Sequence, residues 1–300
     1  GFRPILCFIE ETREYLLGKL RKGASVTGKE AADFIAAIRA QLPGCVQYVL
    51  LRADGEFLCW QSVKASIEAG FKFIIANRRC TPIFELNKWY RPFKRKAFEY
   101  NSCFYQPIGW QWPCRFVVMR ILKQIKQPSN QAQQCVLFED DKYTYRIFCT
   151  NLAGPAHQII ADYDKRADVE NLVGEAKREG LDMIPSAKFK NNYAFFQIVM
   201  LAYNIWRYMK MIAQNSVAAT CPSRDSILKG IMTHTARIAR LKLLFIAAKV
   251  VHHSNRDKIK YSIHDSRTSE MIYLLQFLDK ARCRPRPWHK QSIWAPRFAI

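Results

Sequence analysis

The stretch VQYVLLRADGEFLCWQSVKASIEAGFKFIIA, residues 46–76, has the pattern of a strand, a turn, a helix and a second strand. Residues 46–51 form a nearly continuous apolar run, which is typical of a buried strand. Residues 59–69 show helical spacing and end at Gly70, and residues 71–76 form a second apolar run. A strand–helix–strand unit predicts parallel pairing of its strands and helices packed on a sheet. The fold class predicted from this unit is α/β.

The flanking sequence extends this unit in both directions. Residues 2–20 have the pattern of two strands around an acidic turn, and residues 25–42 have helix-cap residues followed by helical apolar spacing. Beyond residue 76 the composition becomes cationic and aromatic, with strand-like segments at 115–122, 134–139 and 143–150. Helices are predicted again from Pro155, because proline suits the first turn of a helix.

The chain divides into four predicted regions. These are the first part of a core (1–76), a β-rich insertion (77–138), a second part of the core (139–214) and a basic, helical C-terminal region (215–300). The last region includes a basic helix predicted at 234–253, where His252 and His253 are interpreted as ordinary surface residues.

Charge gives the first indication of function. The 300 residues include 47 Lys and Arg against 25 Asp and Glu, a net charge of +22 and a pI near 9.7. This excess favours a polyanionic partner, above all nucleic acid. The alternative is a basic protein whose charge only aids solubility.

Cysteine spacing and hydropathy narrow the class of protein. The ten cysteines are scattered singly without a CxxC pair, which disfavours a zinc site and a secreted disulfide scaffold and favours reduced thiols. Residues 193–209 are apolar but are interrupted by Gln197, Asn204 and Arg207. This pattern favours a buried helix over a membrane span.

The segment YDKRADVENLVGEAK, residues 163–177, carries an unusual polar stripe. On one continuous helix, at about 100° per residue, Tyr163, Arg166, Glu170 and Lys177 fall within about 60° of one another. The apolar residues of the segment lie on the other side, where a core would be; they are Val169, Leu172, Val173 and Ala176. One interpretation is a solvated face supported by i,i+4 charge pairs.

Two carboxylates suggest a second interpretation of this stripe. Asp54 directly follows the apolar strand, and ligands in open α/β sheets bind at the carboxyl ends of strands. Asp-Gly is also a common turn pair, and Glu170 alone would be an ordinary surface residue. Together, however, a strand-end acid and a helix acid can hold Mg²⁺, which needs only one or two protein carboxylates beside a substrate phosphate.

These residues resemble a known family. The spacing Tyr-x2-Arg-x3-Glu-x6-Lys in residues 163–177 is that of the YREK signature of DDE transposases from bacterial insertion sequences. VLLRADGEF, residues 49–57, is similar to the strand that carries the second catalytic Asp of that family. RIFCTNL (146–152) and NNYAFFQIVMLAYNIWRYM (191–209) are similar to the strand before the Glu helix and to the helix after it. The resemblance runs in order from residue 1 past residue 253.

The resemblance implies an RNase H-like mixed sheet flanked by helices and interrupted by a β-rich insertion. It implies a transposase that cleaves double-stranded DNA at transposon ends with two Mg²⁺ ions, for which Mn²⁺ can substitute, and then joins the ends to a target. Many such enzymes excise through a DNA hairpin. By this resemblance Asp54 and Glu170 are metal ligands, and Tyr163, Arg166 and Lys177 contact phosphates beside the scissile bond.

The family uses three carboxylates, and the first lies on the opening strand of its fold. GFRPILCFI, residues 1–9, resembles the second strand, so we expect that acid upstream of this sequence. Glu10, Glu11 and Asp33 lie in the wrong elements to replace it. The alternative to a transposase is therefore a catalytically incomplete DNA-binding remnant, and a nuclease of the same fold is a third possibility.

The resemblance also carries expectations about partners and location. It implies a homodimer in the DNA complex, no membrane, and a bacterial cytoplasmic protein that associates with the nucleoid when it binds DNA. In the family the insertion can hold an aromatic that stacks on a flipped base. Trp89, Trp110 and Trp112 are candidates for that role, with core packing as the alternative for each.

Overall fold

The structure, a computed structural model, describes residues 2–93, 97–122, 142–217, 233–253 and 256–265, together with positions 268, 272, 275, 276 and 279. Its strands are β1 (Ile5–Phe8), β2 (Tyr15–Lys19), β3 (Leu50–Ala53), β4 (Lys72–Ala76), β5 (Phe98–Tyr105), β6 (Cys114–Leu122), β7 (Tyr143–Thr150), β8 (Ala248–His253) and β9 (Arg256–Tyr261). Its α-helices are α1 (Gly28–Gln41), α2 (Trp60–Glu68), α3 (Ala156–Asp164), α4 (Ala167–Ala176), α5 (Phe189–Val217) and α6 (Ala236–Ala239). The chain forms two compact units, residues 23–167 (the sheet unit) and residues 1–22 with 168–300 (the α5 unit).

The sheet unit is built on a five-stranded mixed sheet with the order β3-β4-β7-β6-β5. Strands β3 and β4 are parallel, with Leu51 opposite Phe73, and the remaining pairs are antiparallel. The predicted strand–helix–strand unit is therefore confirmed. Its first strand begins at Leu50 rather than at residue 46, because Val46 closes a turn onto the Pro43 carbonyl and its own carbonyl accepts from Arg39 Nη1 at 3.1 Å.

Alternation along the strands sends side chains into two cores. One contains Ile74, Val117 and Phe148, packed with Ile159 and Ile160 of α3. The other consists of Phe73, Ile75, Phe116 and Cys149 packed with Leu58 and Val63. Because successive side chains of a strand point to opposite faces, the sheet is covered on both faces. This mixed α/β arrangement is consistent with the RNase H-like class that the sequence predicts.

Helix α1 shows how local sequence sets these elements. The Thr27 hydroxyl accepts a hydrogen bond from the Glu30 N–H at 3.2 Å, which caps the helix start. Phe34, Ile35 and Ile38 of the same helix are buried, as the predicted apolar spacing requires. At the end of α2, Gly70 adopts φ +72°, a conformation that glycine accepts without strain.

The stretch predicted as a β-rich insertion contributes two strands to this same sheet. β5 pairs with β6, and the whole length of β7 pairs with β6, from Tyr143 opposite Leu122 to Thr150 opposite Arg115. The predicted strand at 134–139 lies outside the described residues. The four-region division of the chain stays a prediction.

In the α5 unit, the polar residues that interrupt the apolar segment 193–209 bond to the β1–β2 hairpin. Asn204 accepts from the Tyr15 N–H at 2.8 Å and donates to the Tyr15 carbonyl at 2.7 Å. Gln197 donates to the Gly18 carbonyl and Arg207 to the Thr12 carbonyl. The prediction of a buried helix is confirmed for one face, where Phe196, Met200 and Tyr203 lie in a core, whereas the opposite face is exposed. In the described parts of the chain, no helix has the length and apolar character needed to cross a bilayer.

Two predicted helices are wrong. Residues 163–177 do not form one helix, because the Arg166 N–H bonds the Tyr163 carbonyl at 2.8 Å and closes a turn between α3 and α4. A π-helical turn, Lys177–Leu181, then follows α4. The basic helix predicted at 234–253 ends early: α6 and a π-helical turn, Arg240–Leu244, precede strand β8. His252 and His253 therefore lie on a strand, where β-branched Val250 and Val251 favour extended backbone.

Candidate functional site

Asp54 lies where the sequence predicts, at the carboxyl end of edge strand β3. Its Oδ1 accepts the Glu56 N–H at 3.0 Å and caps the short 3₁₀ turn Gly55–Phe57. The side chain is 38% exposed. Asp54 is thus a turn-capping residue that still presents a carboxylate to solvent.

Arg166 lies beside this carboxylate. Its Nη2 is 3.6 Å from Asp54 Oδ2, and its side chain is 25% exposed. This separation is too long for a hydrogen bond, so Asp54 does not use the Arg166 N–H donors and they can bind another acceptor. Two of the predicted site residues, far apart in sequence, are therefore brought together.

Tyr163 lies next to Arg166 but is mostly in the core. Its ring packs on Phe148 with centroids 4.5 Å apart, and the residue is 9% exposed. The Arg166 guanidinium is 6.0 Å from the ring centroid. Burial raises the pKa of Tyr163, and nearby arginine charges only partly oppose that rise. The phenol therefore stays protonated near neutral pH and can offer a hydrogen bond.

Two further arginines lie in this region that the sequence reasoning did not assign to the site. The charges of Arg78 and Arg146 both act on Tyr163. Arg78 packs its stem so closely on Gly55 that a Cβ there would come within 2.6 Å of it, and Arg146 pairs with Asp164. We call this group, Asp54, Arg78, Arg146, Tyr163 and Arg166, the Asp54 edge.

Alternation along the strand could have pointed to Arg146. It precedes buried Phe148 by two residues on β7, so a strand pattern puts both side chains on one face of the sheet. Arg78 lies in a segment already noted for its cations, but nothing in its spacing ties it to Asp54.

Glu170 and Lys177 belong to the α5 unit. Glu170 lies in the first turn of α4 and is exposed, while Leu172 and Ala176 of the same helix are 3% and 0% exposed. The predicted opposition of a charged face and a core face is therefore confirmed within α4. Gly174 leaves open space, since a Cβ there would meet no atom within 4 Å.

Lys177 starts the π-helical turn and is exposed. Glu179, two residues later, has a side chain that is 3% exposed and pairs with Arg240. Gly180 adopts φ +116° against Phe195 and Val199. These contacts fix the end of the Glu170-bearing segment to the rest of its unit. The sharing of a metal by Asp54 and Glu170 stays a prediction.

The side chains present fit a hard divalent cation in part. The Asp54 side chain is partly exposed and its Oδ2 is only loosely paired, and an accessible carboxylate oxygen is the kind of ligand that Mg²⁺ prefers. Among the described residues, no group of three or more His, Cys, Asp or Glu side chains is placed to hold a metal. The donor set therefore suits an ion that takes its remaining ligands from water and a substrate phosphate.

The three candidate tryptophans have different surroundings. Trp89 stacks on the Arg120 guanidinium at 3.9 Å, and Trp110 packs near Phe116 and Trp60. Trp112 is 40% exposed and lines a cleft of about 640 Å³ with Phe104, which is 76% exposed. Trp112 also packs edge-to-face with Trp60, with ring centroids 4.5 Å apart, so its ring is partly covered and partly exposed.

The comparisons with known proteins agree with this description. A family model described as "Transposase DDE domain group 1" matches residues 1–283. A search of curated proteins found no match to the chain. The matched region covers far more than half of the sequence and includes both the Asp54 edge and α4. Proteins of this family act on DNA and generally use divalent metal ions. The chain belongs to the DDE transposase family.

Proposed function

We propose that this protein is a transposase that cleaves double-stranded DNA at the ends of an insertion sequence and joins those ends to a target. The observation that carries this proposal is the Asp54 edge, where a solvent-accessible strand-end carboxylate lies 3.6 Å from a guanidinium. A metal-binding acid beside a phosphate-binding cation is the pair that phosphodiester chemistry requires. The family match and the net charge of +22 support the same substrate.

The reaction has two steps, hydrolysis at the transposon end and transfer of that end to the target. In the first, water attacks a phosphorus at the transposon end, the P–O3′ bond breaks, and the leaving oxygen takes a proton to become a 3′-hydroxyl. In the second, that hydroxyl attacks a target phosphorus and displaces a target 3′-hydroxyl. Neither step changes an oxidation state, so positioning and charge stabilisation suffice.

The residues of the chain divide this work. Asp54 and Glu170 would hold two Mg²⁺ ions, or Mn²⁺ in their place. When bound, such ions activate the nucleophile and stabilise the leaving oxygen. Arg166 and Lys177 would neutralise phosphate oxygens beside the scissile bond, and Tyr163 would donate one hydrogen bond to them.

Trp112 is the aromatic that we assign to a flipped base, if excision passes through a hairpin. Its exposed ring and the neighbouring Phe104 offer the kind of platform on which an unstacked base packs. Arg115 in the same cleft donates to the Leu152 carbonyl at 2.9 Å. This bond connects β6 to the segment that follows β7 at the cleft wall.

A homodimer in the DNA complex is also part of the proposal. α5 exposes a stripe of Ile198, Leu201, Ile205 and Tyr208, which are 63%, 61%, 55% and 41% exposed. Their 3-4-3 spacing is that of a coiled-coil seam. The flanking positions Gln197, Ala202, Asn204 and Met209 carry no charge, so two copies of a strongly basic chain can approach along this stripe without repulsion there.

The seam predicts that Leu201→Lys weakens self-association. A lysine at the centre of an apolar seam leaves a charge without a partner, which we expect to cost on the order of 100-fold in dimer affinity. Analytical ultracentrifugation with end-containing DNA measures this directly. Lys190→Glu, an exposed site earlier on α5, is the control. Equal dimer affinity for Leu201→Lys and the unaltered protein would contradict the seam.

A second candidate function is a DNA-binding protein of this family that does not cut. It is favoured by one observation, that no three-acid cluster is placed for a metal among the described residues. Metal-dependent cleavage separates the two candidates. In either case, the protein would act where the bacterial chromosome lies, in the cytoplasm and on the nucleoid.

The experiment is a cleavage and strand-transfer assay on labelled duplex DNA that contains a transposon end. We expect nicked and joined products with Mg²⁺ or Mn²⁺ and none with EDTA. Products with Mg²⁺ that persist in the Asp54→Asn and Glu170→Gln variants would contradict the assignment of these residues. Binding without any cleavage by the full protein would favour the second candidate.

A further inference from the structure

The β8–β9 ribbon is a second cationic surface, separate in sequence from the Asp54 edge. The strands are antiparallel, with Lys249 opposite Lys260 and Val251 opposite Lys258. Val250 pairs with Ile259 on the alternate positions. Because side chains alternate across a strand, one face carries Lys249, Lys258 and Lys260, which we call the lysine face. The other face, which we call the apolar face, carries Val250 and Ile259 beside the His252–Asp257 pair.

The charges of the lysine face are not balanced within the described structure. All three lysines are exposed, and in the portion of the chain that the structure describes none of them lies in an ion pair. Asp257 is the single acid in residues 248–261, and it bonds His252 at 2.9 Å on the opposite face. Like charges directly opposite each other destabilise a strand pair, so an anion on this face would stabilise the ribbon.

The ribbon is also exposed on its apolar face. Val250 is 68% exposed and Ile259 is 60% exposed. A two-stranded hairpin with little packing is marginally stable in water. An element with both faces accessible can enter a groove, whereas a strand inside a sheet cannot. The ribbon is closed at its base by a hydrogen bond from the Ser262 N–H to the Ala247 carbonyl at 2.8 Å.

We propose that the β8–β9 ribbon is a second DNA-binding element, in which the lysine face contacts backbone phosphates of duplex DNA outside the cleavage site. The major groove of B-DNA is wide enough to admit a two-stranded ribbon. Lysine ammonium groups contact phosphates as point charges and carry no base specificity themselves. The inference rests on the proposed function for its ligand, DNA, and adds a surface that anchors the protein without taking part in the chemistry.

The test measures duplex binding in metal-free buffer as a function of salt. The variant is Lys249→Gln/Lys258→Gln/Lys260→Gln in the full chain. Three lost phosphate contacts should lower the slope of log K against log salt by about 2 to 3 and weaken binding on the order of 100-fold at about 0.1 M salt. Circular dichroism of both proteins reports whether the fold is retained.

A matched control removes the same charge elsewhere. Lys29→Gln/Lys72→Gln/Lys190→Gln changes exposed lysines on α1, β4 and α5. This variant should lower affinity less than about tenfold, because only long-range attraction is lost. Equal losses in the two triple variants would overturn the proposal. A second control, Val250→Thr/Ile259→Thr, should keep the salt slope of the unaltered protein.

A vesicle arm separates DNA from other polyanions. If the lysine face governed binding to vesicles of anionic phospholipid while both triple variants bound duplex DNA equally, the ribbon would be a membrane-surface element and the proposal would be wrong. The outcome is independent of the cleavage assay. A lysine-face variant that binds duplex DNA normally overturns this inference and leaves the proposed transposase intact. Conversely, a protein that does not cleave DNA leaves the result for the ribbon unchanged.

Discussion

The Asp54 edge and the β8–β9 ribbon use cationic side chains in opposite ways. At the edge, Arg166 lies beside an acid and its neighbour Tyr163 is packed into a core with Phe148. On the ribbon, three lysines are exposed, and among the residues that the structure describes no acid lies on their face. Arginine beside a carboxylate at a fixed position suits the precise geometry of bond cleavage. Isolated lysines on a marginal hairpin suit nonspecific attachment to a polyanion.

The two regions differ in packing, so we expect core and ribbon substitutions to differ strongly in their effect on the free energy of unfolding. Tyr163→Ala should remove about 3–5 kcal/mol from the free energy of unfolding, as for other large aromatics deleted from a core. Tyr163→Phe keeps the ring on Phe148 and should leave stability nearly unchanged. Ile259→Ala on the exposed ribbon should also change it little. Urea unfolding of the three variants measures this contrast.

A small loss of unfolding free energy in Tyr163→Ala would contradict this contrast between edge and ribbon, because it would mean that Tyr163 is not anchored in the sheet core. Tyr163→Phe should weaken DNA binding only a few-fold, as expected for one lost hydrogen bond. A larger loss of affinity would show that the hydroxyl does more than donate one hydrogen bond to phosphate.

The second prediction concerns the contribution of Arg166 to DNA affinity. Arg166→Ala should weaken binding to cleavage-site DNA by about 10- to 100-fold, since it removes a charge-assisted contact worth about 1.5–3 kcal/mol. Lys177→Ala should act in the same direction. Glu170→Ala should not weaken binding as these two variants do, because it removes a negative charge that would face phosphate. Fluorescence anisotropy with end-containing duplex provides the values. The control is Lys165→Ala, whose side chain is paired with Asp162. If Arg166→Ala and Lys165→Ala bound alike, Arg166 would not be a phosphate contact.

The smallest expected effect has the opposite sign. If the proposed function is right, Asp54→Asn removes a negative charge that would face the DNA backbone and frees Arg166 from its neighbour. In metal-free buffer it should therefore tighten duplex binding by a few-fold, which corresponds to about 1 kcal/mol. Asp33→Asn, on the exposed face of α1, makes the same charge change away from the site. Tightening by both variants alike would show that only net charge matters.

Local patterns could predict much of the fold. The strand–helix–strand unit around Asp54, the Thr27 cap and the β1–β2 hairpin each depend on residues close in sequence, and the structure has all of them. The same holds for the two faces of α4, where Leu172 and Ala176 are buried and Glu170 is exposed.

Other features could not be predicted from periodic patterns, whether they depend on one local turn or on distant contacts. The break between α3 and α4 follows from one hydrogen bond that closes a turn at Arg166, and a periodic pattern passes through such a turn unnoticed. The burial of Tyr163 depends on Phe148, which comes from another strand. Segment 248–253 carries apolar residues that suit a helix or a strand, and pairing with β9 decides between them.

The assignment of Asp54 and Glu170 as the metal-binding acids is decided by single-turnover cleavage of end-containing DNA in Mg²⁺ by Asp54→Asn and Glu170→Gln, with Asp33→Asn and Asp168→Asn as matched controls. Asp168 is two residues from Glu170 on α4 and pairs with Arg13 at 2.7 Å. We predict that each of the first two variants cleaves on the order of 1000-fold more slowly, because metal ions stabilise the transition state by several kcal/mol, while both controls cleave within a few-fold of the unaltered protein. Normal cleavage by Asp54→Asn or Glu170→Gln, at unchanged DNA binding, would contradict the assignment of the catalytic site.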